Sequence, residues 1–412
     1  MTPSRPCRFC STQLEHSFCD LGMSPMSNEY LSRQDLQLPE KFYPLHAYVC
    51  AQCFLVQLED FETPELIFGD YAYFSSYSQS WLDHARAYCD VMTARLGLTA
   101  RHQVVEIASN DGYLLKNFIA RNIPVLGIEP AANVARVAQN NGIPTRVNFF
   151  GAQFAHELKS EGVQADLLIA NNVLAHVPDL NDFVAGMKIL LKPGGLITLE
   201  FPHLLRLMAE NQFDTIYHEH FSYFSLITVD RIFSKHGLAI VDVDSLSTHG
   251  GSIRIHAVHT GASARPVSLA VGQLKSMELQ AGLQTLQAYA AFAAQVRLTK
   301  RRLLAFLIDV KNAGKSIVGY GAPAKGNTLL NYCGIRRDFI DYTVDLSPHK
   351  QGKFLPGTHI PVYAPEKIRD TQPDYVLVLP WNIKDEIMAQ MSYIREWGGQ
   401  FVLPIPEVRV VP

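Results

Sequence analysis

The chain has 412 residues, 48% apolar and 18% charged, enough for two to three domains with a sizeable buried core. Lys plus Arg (36) against Asp plus Glu (39) leaves a net charge of −3, which excludes the basic footprint of a nucleic-acid binder, so no nucleic-acid partner is expected. No apolar run reaches the ~20 residues of a membrane span, and Met1 to Cys7 carries no apolar signal core, so a cytoplasmic protein without a membrane partner is expected.

Four of the seven Cys form two CxxC pairs, Cys7 with Cys10 and Cys50 with Cys53. The residues around them read as irregular, with Pro25, Pro39 and Pro44 between short apolar pieces. Two such knuckles close a tetrahedral four-thiolate zinc site, structural because no position stays open. Four buried reduced thiols are the plainer alternative. A redox role is disfavoured, since neither pair follows a strand and opens a helix. Cys89 and Cys333 read as core thiols. An aromatic stretch, Asp70 to Ser78, then leads into helical apolar spacing from Trp81 to Leu98.

From residue 103 strands and helices alternate. Strands are predicted at Gln103–Ile107, Val125–Ile128, Asp166–Ala170 and Leu196–Glu200. Helices are predicted at Tyr113–Arg121, Val134–Asn140 and Leu180–Leu191, with a turn at Lys192–Gly195. This pattern implies a parallel sheet with helices on both faces. The small-residue turn Ala108-Ser109-Asn110-Asp111-Gly112 lets a ligand approach the backbone at the carboxyl end of the sheet. Glu129, ending the second strand, can accept hydrogen bonds from both ribose hydroxyls of a nucleoside. The turn lacks G-x-G-x-x-G, so a nucleoside without phosphates fits better than a dinucleotide, and S-adenosylmethionine is the obvious one. An ordinary strand–turn–helix with a surface Glu is the plain alternative. Asn171 to His176 follow the next strand, where the reacting end of such a cofactor would lie.

Further strands are predicted at Ala239–Val243 and Ser252–Val258, then one long helix or two over 268–312 as a bridge. The βαβ pattern restarts with the strand Lys315–Tyr320, the turn Gly321–Gly326 and a helix from Asn327 to Cys333. Strands follow at Asp341–Asp345, Asp374–Leu379 and Gln400–Leu403. Gly319 to Ala324 matches a relaxed G-x-G-x-x-A, with Asp345 ending the next strand. Taken alone, this supports an NAD-dependent oxidoreductase acting on a nucleotide sugar. Pro323 and Lys325 inside the turn argue against that. Backbone N–H groups with Lys325 suit the diphosphate of a nucleotide sugar instead. A purely structural repeat is the third option.

Tyr217-His218-Glu219-His220 is dense in titratable groups. HExxH is absent, and an HxH pair alone is weak evidence for a metal. Surface histidines in a polar loop are the plain alternative. Phe213, Phe221, Tyr223 and Phe224 point to partial burial, which makes His, Glu and Tyr candidate acid–base groups.

Four motifs carry a resemblance that runs over nearly the whole chain: Tyr73–Ser78, Glu106–Gly112, Tyr217–Ser225 and Gly321–Asn327. The chain resembles the sugar C-methyltransferases of deoxysugar biosynthesis, which methylate C3 of a nucleotide-linked 4-keto sugar from S-adenosylmethionine. The resemblance implies an α/β chain of several parts. These are a zinc-binding module (1–68), a Rossmann-like methyltransferase domain (69–265), a helical connector (266–312) and a second Rossmann-like, substrate-binding domain (313–412). Among catalytic residues it implies His220 as the base. Tyr217 would donate toward the enolate oxygen or relay the proton, Glu219 would orient His220 or hold a sugar hydroxyl, and His176 would be a second contact to the enolate. The implied cofactor contacts are Glu106, Ala108, Ser109, Asn110, Gly112, Glu129, Phe149 and Asn171. The implied substrate contacts are Tyr71, Ser76, Tyr77, Asn172, Gly321 and Lys325. Cys7, Cys10, Cys50 and Cys53 would hold structural Zn2+. The partner would be a nucleotide 4-keto-sugar, and the chain would act as a monomer or weak homodimer. Phe74, His218 and Tyr223 are read as structural. A non-catalytic zinc-module scaffold remains the third class, beside the oxidoreductase.

Overall fold

The computed structural model describes residues 5–65, 75–77, 79–261 and 265–412; Tyr71 and the side chain of Tyr77 lie outside the described residues, as do Tyr73, Phe74 and Ser78. Among the described residues no helix is long and apolar enough to cross a membrane.

The N-terminal stretch is not irregular. His16–Ser24, Tyr43–Val49 and Val56–Gln57 form antiparallel strands, and the fourth strand of that sheet is Ser222–Tyr223, from the histidine-rich loop. The first of them breaks register between Ser17 and Cys19 and again between Asp20 and Met23, which erases the alternation that marks a strand in sequence.

The central sheet has seven strands: β1 (Val104–Ile107), β2 (Val125–Ile128), β3 (Thr145–Arg146), β4 (Ala165–Asn171), β5 (Leu191–Pro202), β6 (Leu238–Leu246) and β7 (Ser252–His259). Their spatial order is β6-β7-β5-β4-β1-β2-β3; β7 is antiparallel to both neighbours and the rest of the ladder is parallel. The chain runs outward from β1 to β3, then returns to β4 on the other flank of β1. This reversal opens a crevice at the carboxyl ends of β1 and β4. The strands there are apolar because both faces are covered: Val104, Val105 and Leu167 to Ala170 are fully buried. The predicted turn at Lys192–Gly195 is a bulge within β5, since Leu191 pairs with Ala165 and Leu196 already pairs with Leu167.

Residues 268–312 form two helices, Leu269–Gln280 and Leu286–Asn312, parted at Gly282. The second bridges modules: Phe292 stacks on Phe18 of the N-terminal sheet with centroids 4.6 Å apart. Its buried side also shares an apolar cluster with Leu329 and Leu377 of the C-terminal unit. That unit is a six-stranded sheet, parallel except for the final strand Arg409–Val411, with Ile317–Tyr320 at its reversal.

Candidate active site

The four CxxC sulfurs lie within 4.8 Å of one another, with Cys7–Cys53 at 3.6 Å and Cys10–Cys50 at 3.4 Å. Four thiolates at ~2.3 Å from a tetrahedral zinc sit roughly 3.8 Å apart, so the donor set fits Zn2+ closely. Gln57 Nε2 donates to Cys7 Sγ (3.2 Å) and the Gln52 N–H to Cys50 Sγ (3.4 Å), as outer partners of thiolates do.

The crevice of the central sheet widens into a cavity of about 570 Å³. Its floor holds Ala108, Asn110, Glu129, Phe149, Asn171 and Asn172, all named from sequence. Ala108 (φ 53°), Asn110 (φ 50°) and Asn172 (φ 55°) are left-handed, a conformation that costs a residue with a Cβ and clusters at functional sites. Glu129 is tied down at both oxygens: Oε2 accepts from the Asn110 N–H and Oε1 from the Ala131 N–H, each at 2.9 Å. Asn171 Oδ1 and both amide atoms of Asn172 are buried with no hydrogen-bond partner among the described residues. Orphaned polar atoms in a crevice of this shape fit a polar cofactor such as S-adenosylmethionine.

Glu106, Ser109 and Gly112 do not line the cavity. Ser109 and Gly112 build the turn beneath it, and Glu106 lies in the strand that feeds that turn, its Oε2 buried with no hydrogen-bond partner among the described residues. Burial, followed by the charges of Glu129 and Asp111, pushes the Glu106 carboxyl well above its usual range. Ser109 packs on Gly127, where a Cβ would stand 2.4 Å from its Oγ. At Gly112 (φ 78°) a Cβ would stand 2.1 Å from Ile143 Cδ1, so a side chain there would displace Ile143 and strain the backbone. Ser75 lines the cavity and its N–H donates to Asn110 Oδ1 (2.9 Å). Ser76 is exposed and its N–H donates to Asp111 Oδ2 (3.2 Å).

One wall is the histidine-rich loop, clamped at both ends. Downstream, Ser222–Tyr223 pairs with Val56–Gln57 of the zinc module. Upstream, the C-terminal unit holds it: Trp381 Nε1 donates to Asp214 Oδ2 (2.7 Å) and Thr328 Oγ1 to the Ile216 carbonyl (3.0 Å). Within the loop, His220 Nδ1–H donates to the Thr215 carbonyl (2.9 Å), which leaves Nε2 as the basic nitrogen, and the Tyr217 hydroxyl donates to it at 2.8 Å. His176 Nδ1–H donates to the Glu219 carbonyl (2.6 Å), its ring 4.8 Å from that of His220. Glu219 accepts from Asn28 Nδ2 of the zinc module at 2.8 Å. Burial drives the Glu219 carboxyl up to about 7 and His176 down to about 4, and it holds His220 well below its ordinary value. His218 stays out of the cavity, its Nε2 donating to the Pro44 carbonyl (3.2 Å) beside Tyr43 and Phe61.

The far wall holds Pro323, Ala324, Lys325 and Lys350. Lys325 Nζ donates to Asn382 Oδ1 (2.5 Å) and lies over Trp381. Burial lowers its ammonium to about 8 against the pull of Asp214, so it is cationic at neutral pH. Gly321 is not in the lining: Pro380 packs so tightly against it that a Cβ would meet its ring at 2.5 Å. Asp345 Oδ2 is taken by the Ala322 N–H (2.7 Å). The glycine and acidic residue of a dinucleotide site are thus spent on internal packing, and the oxidoreductase reading has no support. Sequence reasoning missed Asn28, Trp81, His249 and Lys350 as lining residues. Asn28 reaches its partner across 191 residues, which no local signal announces.

Three family models match successive stretches: a zinc binding domain over 7–68, a methyltransferase domain over 80–243 and a C-methyltransferase C-terminal domain over 247–406. C-methyltransferase NovU of Streptomyces niveus is 37% identical over 409 residues, 99% of this chain and 97% of that protein. Among solved structures, magnesium protoporphyrin IX methyltransferase from Synechocystis PCC 6803 with bound SAM is 16% identical over 44% of this chain and 79% of its own, at a TM-score of 0.33. The CcbJ methyltransferase of Streptomyces caelestis is 12% identical over 43% of this chain and 90% of its own, at a TM-score of 0.34. By its near full-length match to NovU, the chain belongs to the S-adenosylmethionine-dependent C-methyltransferases with a zinc-binding N-terminal module.

Proposed function

We propose that the enzyme methylates C3 of a nucleotide-linked 4-keto-deoxysugar. The observation that carries this reading is the Tyr217–His220 pair, lining one cavity together with the cofactor crevice and Lys325. When bound, S-adenosylmethionine supplies an electrophilic methyl on a sulfonium. The protein's task is to make the acceptor carbon nucleophilic. A proton on carbon next to a ketone is acidic enough for an enzymic base, provided donors stabilise the enolate oxygen. His220 Nε2 takes that proton, with Tyr217 positioned on the same nitrogen as relay. Tyr217 is the group here with a proton to offer the enolate oxygen, while neutral His176 has its one N–H on the Glu219 carbonyl and packs against His220. Asn110, Glu129, Phe149, Asn171 and Asn172 hold the cofactor, while Ser109 and Gly112 keep the turn in shape. Lys325 and the N-terminus of helix Ala324–Cys333 hold the diphosphate. Tyr71, Ser76 and Tyr77 are assigned to the sugar side on the resemblance alone. A monomer or weak homodimer is assigned on the resemblance alone, and a reducing cytoplasm suits four zinc thiolates.

The test is incubation with a nucleotide-linked 4-keto-6-deoxyhexose in D2O. With S-adenosylhomocysteine, deuterium should enter at C3; with S-adenosylmethionine, the product should gain one methyl there. Methyl transfer to oxygen or nitrogen, or to no keto sugar of a panel differing in base and configuration, would overturn the proposal.

A further inference from the structure

The turn Thr248–Gly250 joins β6 to β7 and is gripped by its own domain and by the C-terminal unit. Thr248 Oγ1 donates to Glu200 Oε1 at 2.7 Å. Glu200 is fully buried and also takes Arg254 (2.7 Å) and His84 Nε2 (2.9 Å). The Gly250 carbonyl accepts from Gln212 Nε2 at 2.7 Å, and Trp381 packs where a Gly250 side chain would stand. Between these anchors His249 is forced into the left-handed region (φ 52°, ψ 26°). Glycine would hold that conformation without strain.

The strain delivers the imidazole into the main cavity, edge-on to Trp81 with centroids 5.2 Å apart. Trp81 is itself braced flat against His84 at 5.0 Å. Among the described residues, neither ring nitrogen of His249 has a hydrogen-bond partner. Burial, and then the nearby Lys325 charge, push the ring down to about 4, so it is neutral and offers one N–H and one lone pair. It also stands near enough to His220 to disfavour a proton there. The adjoining Gly250 packs on Trp381, over whose ring Lys325 lies at 4.8 Å, and His249, Lys325 and His220 line the same cavity.

The geometry points to His249 as a binding residue for the acceptor, hydrogen-bonded to an oxygen of the keto sugar and fixing the ring against His220. This rests on the acceptor class proposed above. It explains why a strained histidine occupies a position where glycine would be more stable.

His249→Gly and His249→Asn separate the roles. The glycine variant should melt no lower than the wild type, because glycine accepts positive φ. It should bind S-adenosylhomocysteine as the wild type does in calorimetry. Its kcat/KM for a nucleotide-linked 4-keto-6-deoxyhexose should fall about 10–100-fold, the scale of one lost substrate hydrogen bond. Asparagine tolerates the left-handed region and restores a donor, so it should recover part of that loss. Wild-type kcat/KM in the glycine variant overturns the assignment. So does a glycine variant that loses stability and S-adenosylhomocysteine affinity together, since the turn would then be structural. If the wild type itself methylates no keto-sugar nucleotide, the acceptor class falls first and takes this assignment with it.

Discussion

Replacing Glu219 by Gln keeps the shape of the side chain and an acceptor for Asn28 Nδ2, and removes only the ability to ionise. The side chain is 5% exposed, and burial lifts its carboxyl from about 4.5 to about 7. At 1.36 kcal/mol per pH unit, that difference is worth roughly 3 kcal/mol. The sign follows from proton counting. Between about pH 4.5 and 7 the folded protein holds a proton that the unfolded chain has released, so wild-type stability falls as pH rises. Above about 7 both states are ionised and the loss is complete. The glutamine variant pays no such penalty. Urea unfolding at pH 5 and at pH 8 should therefore show its stability advantage growing by roughly 2–3 kcal/mol between the two. An advantage that is the same at both values would refute the buried, desolvated carboxyl.

Other outcomes follow from the same geometry. His220→Asn should lower kcat by at least about 100-fold while S-adenosylhomocysteine binds unchanged; deuterium exchange at C3 of the acceptor is the direct readout, and exchange at the wild-type rate would remove His220 as the base. Metal analysis should find one zinc per chain, and Cys50→Ser should lower both zinc content and melting temperature, because the metal closes the module. Methyl transfer should be lost in step, since that module holds Asn28 and the strand Val56–Gln57 against the catalytic loop. Lys325→Met should raise KM for the nucleotide sugar about 10–100-fold with little change in cofactor affinity, the pattern of a lost diphosphate contact.

What the sequence made legible is what is local. The strands of the central sheet stand out as apolar runs because parallel strands are covered on both faces. The turn Ala108–Gly112 follows its strand directly, and the CxxC pairs carry their spacing within four residues each. What stayed hidden depends on distant partners. The zinc module's first strand loses its alternation to two register breaks, and the fourth strand of its sheet lies more than 160 residues downstream. Ser109 looks like a ligand contact in a motif, yet it packs inward on Gly127. His249 sits in a Thr-His-Gly-Gly run that carries no chemistry by itself; only the backbone angle and the cavity behind it give it meaning.

The two outer modules also bear on the base itself. An imidazole must be neutral to accept a proton, and in water His titrates near 6.5. Burial here keeps His220 neutral, with the neighbouring His176 pushing the same way. That makes it a weaker base, so the proposed proton transfer depends on proximity and on donors to the enolate more than on basicity. An enolate carbon is also a nucleophile that water can quench by giving a proton back. Both demands call for a site with little water. No single helix or strand of the methyltransferase sheet frames the base. Asn28 holds its loop from one side, and Trp381, beneath Lys325, from the other. The zinc knuckles and the second α/β unit are, on this view, the walls that let a carbon nucleophile survive long enough to meet the methyl group.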